Sequence, residues 1–450
     1  MKTKRPFKLS TTQMIMLSFL VAIFAGSLLL SLPISSANGE SVPYIDALFT
    51  ATTATCVTGL VTLPTVSTWS VFGQIVILVL IQVGGLGIIT IMSGIMISLH
   101  KKMGLADRLL IQDAFNLNTL SGLIRFVKKV LIGTFIVEGI GALLYMTVFV
   151  PDYGAKGIWI SVFNSISAFC NAGIDIIAAD SLCSYATNPV INFVTAALII
   201  LGGIGYIVWW DVIRVGKMKT KRKFSHLTLN SKIALTSTAV LILAGAVLTF
   251  IFEYNNPLTI KDFSLFEKIQ TSFFQSVTTR TAGFATIPQE NLTNASSLVS
   301  LILMFIGGSP VGTAGGIKTV TITVIFASAL SAVRNRQDVS LFGRNIKKEA
   351  VSKATAVMCM SFIIMFTSSL LLSAVSDASL LDILYETVSA TATVGLTRNL
   401  TSSLNLAGKI VIIVTMYLGR VGPISLAIAF GRKKEIPNII KNPTEEISVG

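Results

Sequence analysis

Four segments of the sequence carry glycine at a spacing that suits one task, the removal of water from a cation. They read FTATTATCVTGL (Phe49 to Leu60), FNSISAFCNAGI (Phe163 to Ile174), FFQSVTTRTAGF (Phe273 to Phe284) and YETVSATATVGL (Tyr385 to Leu396), and they align without gaps. Ten residues before the glycine stands an aromatic ring (Phe49, Phe163, Phe273, Tyr385), and five before it a small residue (Ala54, Ala168, Thr278, Ala390). The glycines, Gly59, Gly173, Gly283 and Gly395, recur at intervals of 114, 110 and 112 residues. A single such glycine reads as a turn, whereas four in register imply a shared structural role.

Glycine permits the positive φ that turns successive carbonyl oxygens toward one axis, where they can replace the water shell of an ion. The expected ligands are backbone oxygens of Val57, Thr58 and Gly59, of Asn171, Ala172 and Gly173, of Thr281, Ala282 and Gly283, and of Thr393, Val394 and Gly395. A short helix before each would direct its negative C-terminal end at the ion. Non-helical backbone survives at membrane depth only when buried in protein or lining a watery path.

Such loops need elements to hold them. Each segment follows an apolar run, Met14 to Leu32, Val130 to Val150, Ile233 to Phe252 or Ala354 to Val375, near the roughly 20 residues that cross a bilayer. Each precedes an apolar run marked by glycine: Gly84-Gly85-Leu86-Gly87, Gly202-Gly203-Ile204-Gly205, Gly307-Gly308-Ser309-Pro310 and Gly419-Arg420-Val421-Gly422. The stretch from Tyr44 to Gly59 is 16 residues, too short to cross, so it enters and returns. The predicted fold is an all-α polytopic membrane protein of four tandem helix, pore-loop, helix repeats, with eight spanning helices and four re-entrant pore helices around a central pore. The repeats are expected at 1–100, 101–216, 217–335 and 336–431, with a cytoplasmic C-terminal tail at 432–450.

Composition agrees. Of 450 residues, 52% are hydrophobic and 12% charged, with mean hydropathy +0.77, which excludes soluble, disordered, collagenous and disulfide-scaffold classes. The net charge of +14 would suit nucleic acid, but 27 of the 35 basic residues fall at the termini and in the linkers 101–129, 214–232 and 334–353. Two crossings per repeat put all of these on one side, which the excess of Lys and Arg marks as cytoplasmic, together with both termini. No nucleic acid is needed to explain the charge. On the other side twelve acids face few bases, either attracting cations or simply reflecting topology. The first apolar run resembles a signal sequence, with Ser35-Ser36-Ala37 as a cleavage site, but its length and the repeat favour a retained helix.

The third repeat departs from the pattern. Its last helix contains GGSPVGTAGGIKT, with Gly307, Gly308, Gly312, Gly315 and Gly316 beside Thr313 and Lys318. Interior glycines cost about 1 kcal/mol each and proline about 3 kcal/mol, so residues 307–317 should unwind below the four glycines, as an occluding loop or as a packing kink. Arg420 interrupts the last helix, where an arginine needs a cavity or a partner; it would hold that loop or set a positive barrier, or else snorkel from a helix end. Arg280 is expected behind the glycines, paired with a carboxylate such as Glu386. Glu138 is expected to be a satisfied bundle residue or an ion ligand.

Cys56, Cys170, Cys183 and Cys359 show no paired spacing, and His100 and His226 lie among basic residues, so neither zinc, haem nor another prosthetic group is expected. A membrane enzyme would need a cluster of His, Asp, Glu or Cys within the membrane, and the sequence offers none. Asn291-Leu-Thr and Asn399-Leu-Thr would be outward glycosylation sites in a eukaryote.

At the four glycines, and at Thr279 to Phe284 (TRTAGF), the chain resembles the Ktr/Trk/HKT superfamily of potassium transporters over nearly its whole length, most closely the membrane subunit of bacterial Ktr systems. That resemblance implies K⁺ as the transported ion, a filter glycine in every repeat, and an intramembrane gating loop at 307–317. It further implies a homodimer with one pore per subunit, seated on a cytosolic KtrA-like regulatory ring that binds ATP, ADP or NAD-type nucleotides on its own chains. A sodium-permeable or weakly selective cation transporter of the same architecture is the alternative.

Overall fold

A computed structural model of the chain describes residues 10–99, 104–114, 122–219, 222–336 and 338–422. The first nine residues, His100 and the expected tail at 432–450 lie outside the described residues. Each repeat opens with a long helix, here called outer: Thr11–Leu30, Leu123–Tyr153, Leu229–Glu253 and Lys348–Val375. These four are long and apolar enough to cross a bilayer. The first and third start at side-chain caps. Ser10 and Gln13 form a capping box at the first, and Thr228 caps the third while its own N–H and hydroxyl donate to Asp211 (2.8 and 2.9 Å).

A short pore helix follows in each repeat: Tyr44–Cys56, Lys156–Cys170, Leu265–Thr278 and Leu380–Ala392. Phe49, Phe163 and Tyr385, ten residues before their glycines, are fully buried; in the third repeat it is the next residue, Phe274, that is fully buried. The pore helices therefore form the centre of the molecule. The outer helices show the opposite pattern: Leu17, Val21, Phe24, Phe135, Ile136, Leu243 and Phe366 are all exposed. An apolar belt outside a core rich in threonine and serine is what a lipid-facing surface requires.

The inner element of each repeat is less regular than a plain span. In the first two repeats, helices Val71–Leu86 and Ile88–Ser98, and Pro189–Gly203 and Tyr206–Gly216, meet at 97°. The turns are made by Gly87 (φ 84°, ψ 132°) and Gly205 (φ 92°, ψ 137°), and Gly422, which ends the fourth inner helix Leu406–Val421, has the same conformation (φ 86°, ψ 139°). The third inner element divides into Asn294–Phe305 and Thr319–Val333 around a non-helical stretch. Sixteen helical residues rise about 24 Å, short of the roughly 30 Å hydrocarbon core, so each inner helix stops or turns below the pore helices. Glycine is required here, because a side chain at φ near 90° is strained. A small antiparallel hairpin, Ser340–Leu341 with Arg344–Asn345, occupies the third linker, where Phe342 meets Phe224 of the second at 6.0 Å.

Candidate functional site

The four glycines form a closed ring. A Cβ added to Gly59 would lie 2.7 Å from the carbonyl oxygen of Ala172; one on Gly173, 2.5 Å from that of Ala282; one on Gly283, 2.5 Å from that of Val394; and one on Gly395 would strike that of Thr58. Each glycine thus touches the oxygen of the residue before the glycine in the next repeat, until the fourth returns to the first. Backbone oxygens of Thr58, Ala172, Ala282 and Val394 are gathered around one centre from four separate parts of the chain.

Local structure explains how they are held. Two residues before the glycine the backbone is left-handed at Val57, Asn171, Thr281 and Thr393 (φ 56°, 59°, 69° and 51°), and at each glycine φ is again positive. The residue between is not left-handed, and this alternation turns neighbouring carbonyls the same way. A β-branched residue in the left-handed region costs roughly 1–3 kcal/mol, so Val57, Thr281 and Thr393 must be fixed by their surroundings. In three repeats they are: Thr58, Ala172 and Val394 each donate an N–H to the carbonyl five residues back, at Thr53, Ser167 and Ser389 (2.8 Å each). Gly59 and Gly395 also donate to the side chains of Thr53 and Ser389 (3.0 Å each). In the third repeat the bond is one residue shorter, from Ala282 to Thr278 (3.0 Å).

Cavities lie on both sides of the ring. One of about 330 Å³ is lined by all four glycines together with Asp175, Asp180 and Glu290. Burial raises the Asp175 carboxyl from its ordinary range to about 6. Many of the other outer acids have structural partners. Asp46 pairs with Lys409, Asp382 with Arg398, and Glu253 accepts the N–H and hydroxyl of Thr293.

The second cavity, about 480 Å³, lies at the other end of the pore helices and is lined by Gly84 to Gly87, residues 310–312 and 314–318, Thr391, Ala392 and Arg420. Residues 306–318 are non-helical, as their glycine content predicts. Gly307 donates to Ile317 (3.0 Å) and Ile317 to Phe305 (3.3 Å), closing the neck of a loop. Beyond the neck the loop rests on other repeats. Ser309 and Thr313 donate their N–H groups to Gly203 and Gly202 (2.8 and 3.1 Å), the Thr313 hydroxyl reaches the Phe169 carbonyl (3.1 Å), and Gly315 packs on Ala392 and Thr393. Gly307, Gly308 and Gly312 contact backbone so closely that a side chain would collide.

Arg420 occupies the position at which the other three repeats have Gly85, Gly203 and Gly308. Its guanidinium donates to the carbonyls of Thr313 (2.7 Å) and Gly84 (2.5 Å), bridging the loop to the first repeat. Lys318 donates back to Ala314 (2.5 Å). Glu138 accepts from Gln82 (3.2 Å) and is a partnered bundle residue.

The expected pairing of Arg280 with Glu386 does not occur. Glu386 accepts instead from Thr397 and Thr401 (2.6 and 2.5 Å), while Arg280, buried behind the ring, donates to Thr238 and to the Gly307 carbonyl (3.4 Å each). The reason is local: the third pore helix ends at Thr278, and Arg280 follows in a turn, outside the helix that would have aimed it toward its neighbour. A polar network around Gln289 was not foreseen. Gln275 donates to it at 2.7 Å, Tyr385 at 2.9 Å, and Arg398 donates to its carbonyl at 2.9 Å, joining the third and fourth repeats. Nothing in the spacing of a lone glutamine signals this.

The TrkH family, a cation transport protein family, matches residues 2–441 of the chain. The chain belongs to the TrkH family. It is 40% identical to the Ktr system potassium uptake protein B of Bacillus subtilis over 97% of this chain and 96% of the relative. It is 38% identical to the potassium/sodium uptake protein NtpJ of Enterococcus hirae over 100% and 99%. The fold matches the potassium transporter TrkH of Vibrio parahaemolyticus with a TM-score of 0.75, at 16% identity, over 96% of this chain and 87% of that one. As a member of the TrkH family the chain is a multi-pass membrane transport protein and not an enzyme.

Proposed function

We propose that this TrkH-family chain takes up K⁺ across the cell membrane, with Thr58, Ala172, Ala282, Val394 and their neighbours as the carbonyl ligands of a selectivity filter. The observation that carries the reading is the closed ring of glycines with a cavity on either side. A cation entering from the acidic cavity would exchange water for oxygens that the pore helices hold in place, so little reorganisation accompanies dehydration. The names of the two relatives, one of potassium uptake and one of potassium/sodium uptake, support a monovalent cation.

In this reading the loop at 307–317 is a gate. Gly312, Thr313, Gly315 and Gly316 lie across the axis beneath the ring, and Arg420 and Lys318 hold the loop there and add positive charge to a cation path. Regulation would come from a cytosolic nucleotide-binding ring, KtrA-like, acting on the basic linkers of a homodimer whose termini are cytoplasmic. The four repeats, with boundaries at 1–100, 101–216, 217–335 and 336–431, are the units that such a partner would move.

The test is uptake of Rb⁺ by cells lacking their own K⁺ uptake, in competition with Na⁺, alongside growth at limiting K⁺. Growth rescue with weak Na⁺ competition is expected. Equal competition by Na⁺ would transfer the chain to the weakly selective alternative.

A further inference from the structure

Arg280 is costly where it is. It is 7% exposed, and an arginine within a membrane protein ordinarily faces a carboxylate or water. Among the described residues no carboxylate pairs with it. Its Nε has no hydrogen-bond partner, and its terminal nitrogen makes two long bonds, one to the third outer helix at Thr238 and one to the Gly307 carbonyl. Packing alone would be served by an uncharged side chain without that penalty.

The two ends of this contact are significant. Arg280 directly precedes the left-handed Thr281 and stands three residues before Gly283, so its backbone is part of the third arm of the ring. Gly307 is the first residue of the loop neck, whose N–H is already committed to Ile317. A single side chain therefore joins the arm of the ring to the hinge of the loop.

The third arm is also the one that is anchored differently. In the other three, the residue before the glycine is bonded to the carbonyl five residues back in its own pore helix, and in the third it is bonded only four back. The other arms touch the loop on their own account: Thr313 bonds the second pore helix at Phe169, Gly315 packs on Thr393, and Arg420 joins Thr313 to Gly84, which packs on Thr55. Among the described residues the third arm, whose repeat supplies the loop, reaches the loop neck through one side chain.

We infer that Arg280 is a positioning residue that ties the third arm of the ring to the loop neck, so that displacement of the loop changes ion discrimination as well as flux. The inference rests on the filter and gate proposed above. An open loop carries the Gly307 carbonyl away, Arg280 loses its acceptor, and Thr281 and Ala282 are left with only the shorter bond to Thr278 and the Thr278 hydroxyl on the Phe284 carbonyl to hold them. Closed and open states then differ in selectivity.

A four-way comparison tests this in liposomes holding the purified chain: wild type, Arg280→Gln, deletion of Gly312 to Gly316, and both changes together. Rb⁺ uptake gives flux, and competition by Na⁺ gives discrimination. Arg280→Gln in the full chain is expected to lower discrimination at least about fivefold, the lower end of coupling between linked sites, and to change it by less than about twofold once the loop is deleted. Arg280→Lys, which can still reach a carbonyl, should restore part of the discrimination. Equal losses in both backgrounds would make Arg280 a strut of the ring alone and overturn the inference, as would no loss in either. Should Arg280→Gln not fold, Arg280→Lys in both backgrounds carries the same comparison, with a loss of about twofold expected only where the loop is intact. If deletion of the loop leaves flux unchanged, the gate itself is wrong; if flux rises while the two changes act independently, only the coupling is.

Discussion

The glycine ring and the glycine loop are both irregular backbone buried at the middle of the molecule, yet they are secured in opposite ways. The ring is held chiefly from within each repeat: Thr58 bonds Thr53, Ala172 bonds Ser167, Val394 bonds Ser389. Beyond its neck the loop is held by other repeats, at Gly202, Gly203, Phe169, Thr393 and Arg420. A segment bonded to its own helix keeps its shape when repeats shift, whereas one bonded to its neighbours is released by the same shift. On the proposed reading, this difference would make the ring the rigid, ion-selecting part and the loop the moving part.

The sharpest way to break this comparison is to put a Cβ into the ring. Gly59→Ser should lower discrimination of Rb⁺ from Na⁺ by at least about tenfold, because one displaced carbonyl alters the cage at a cost of about 1.4 kcal/mol or more. Competitive uptake at matched expression measures it, and unchanged discrimination would remove Gly59 from the filter. Deleting Gly312 to Gly316 should raise Rb⁺ flux several-fold, on the order of a 1 kcal/mol shift toward the open position, and lower discrimination by about the fivefold expected of Arg280→Gln, less than the ring lesion does. Flux equal to wild type in folded, inserted protein would make the loop structural.

Arg420→Ala should act in the same direction with smaller effect, since the loop keeps its bonds to Gly202, Gly203 and Phe169 while losing only the bridge to Gly84; about a twofold to threefold rise in flux is expected. The smallest effect belongs to the outer cavity. Asp175 has its pKa raised to about 6, so it is charged at pH 7.5 and largely neutral at pH 5. External acidification should therefore weaken apparent K⁺ affinity about twofold, as expected for one buried carboxylate in the wall of the outer cavity. Asp175→Asn should remove that pH dependence. An identical acid response in the variant would assign it to Asp180, Glu290 or the driving force.

What the sequence made legible followed from repetition. One glycine means little, but Gly59, Gly173, Gly283 and Gly395 share aromatic and small neighbours at fixed offsets, and those offsets lie on the buried faces of the pore helices except at Phe273, where the next residue, Phe274, is buried instead. Apolar length gave the outer helices to within several residues at each end. The right-angle turns at Gly87 and Gly205 were less legible, because glycine within an apolar run reads equally as packing or as a break. The contact of Gly84, Gly202 and Gly419 with the pore-helix carbonyls of Thr55, Phe169 and Thr391 shows that both uses occur within four residues. The partner of Arg280 was misread because pairing by charge ignores where a helix ends: Thr278 closes the third pore helix and turns the next side chains toward the loop. The position of Arg420 in place of a glycine was visible in the aligned repeats, but its acceptors, Thr313 and Gly84, are distant in sequence and are set only by the closed fold.

The ring also has a direction. Every Cβ would meet the carbonyl of the following repeat first, Gly59 that of Ala172, Gly173 that of Ala282, Gly283 that of Val394, and Gly395 that of Thr58. Damage at one glycine therefore falls first on the following repeat, and only second on the preceding one, where Gly59 would meet Gly395 and Gly283 would meet Gly173 at 3.1 Å. In a genetic screen, suppressors of a Gly59 lesion should gather in the second repeat, around Ala172, and those of a Gly395 lesion in the first, around Thr58. Four repeats related by fourfold pseudosymmetry would thus give a map of compensation with a preferred handedness.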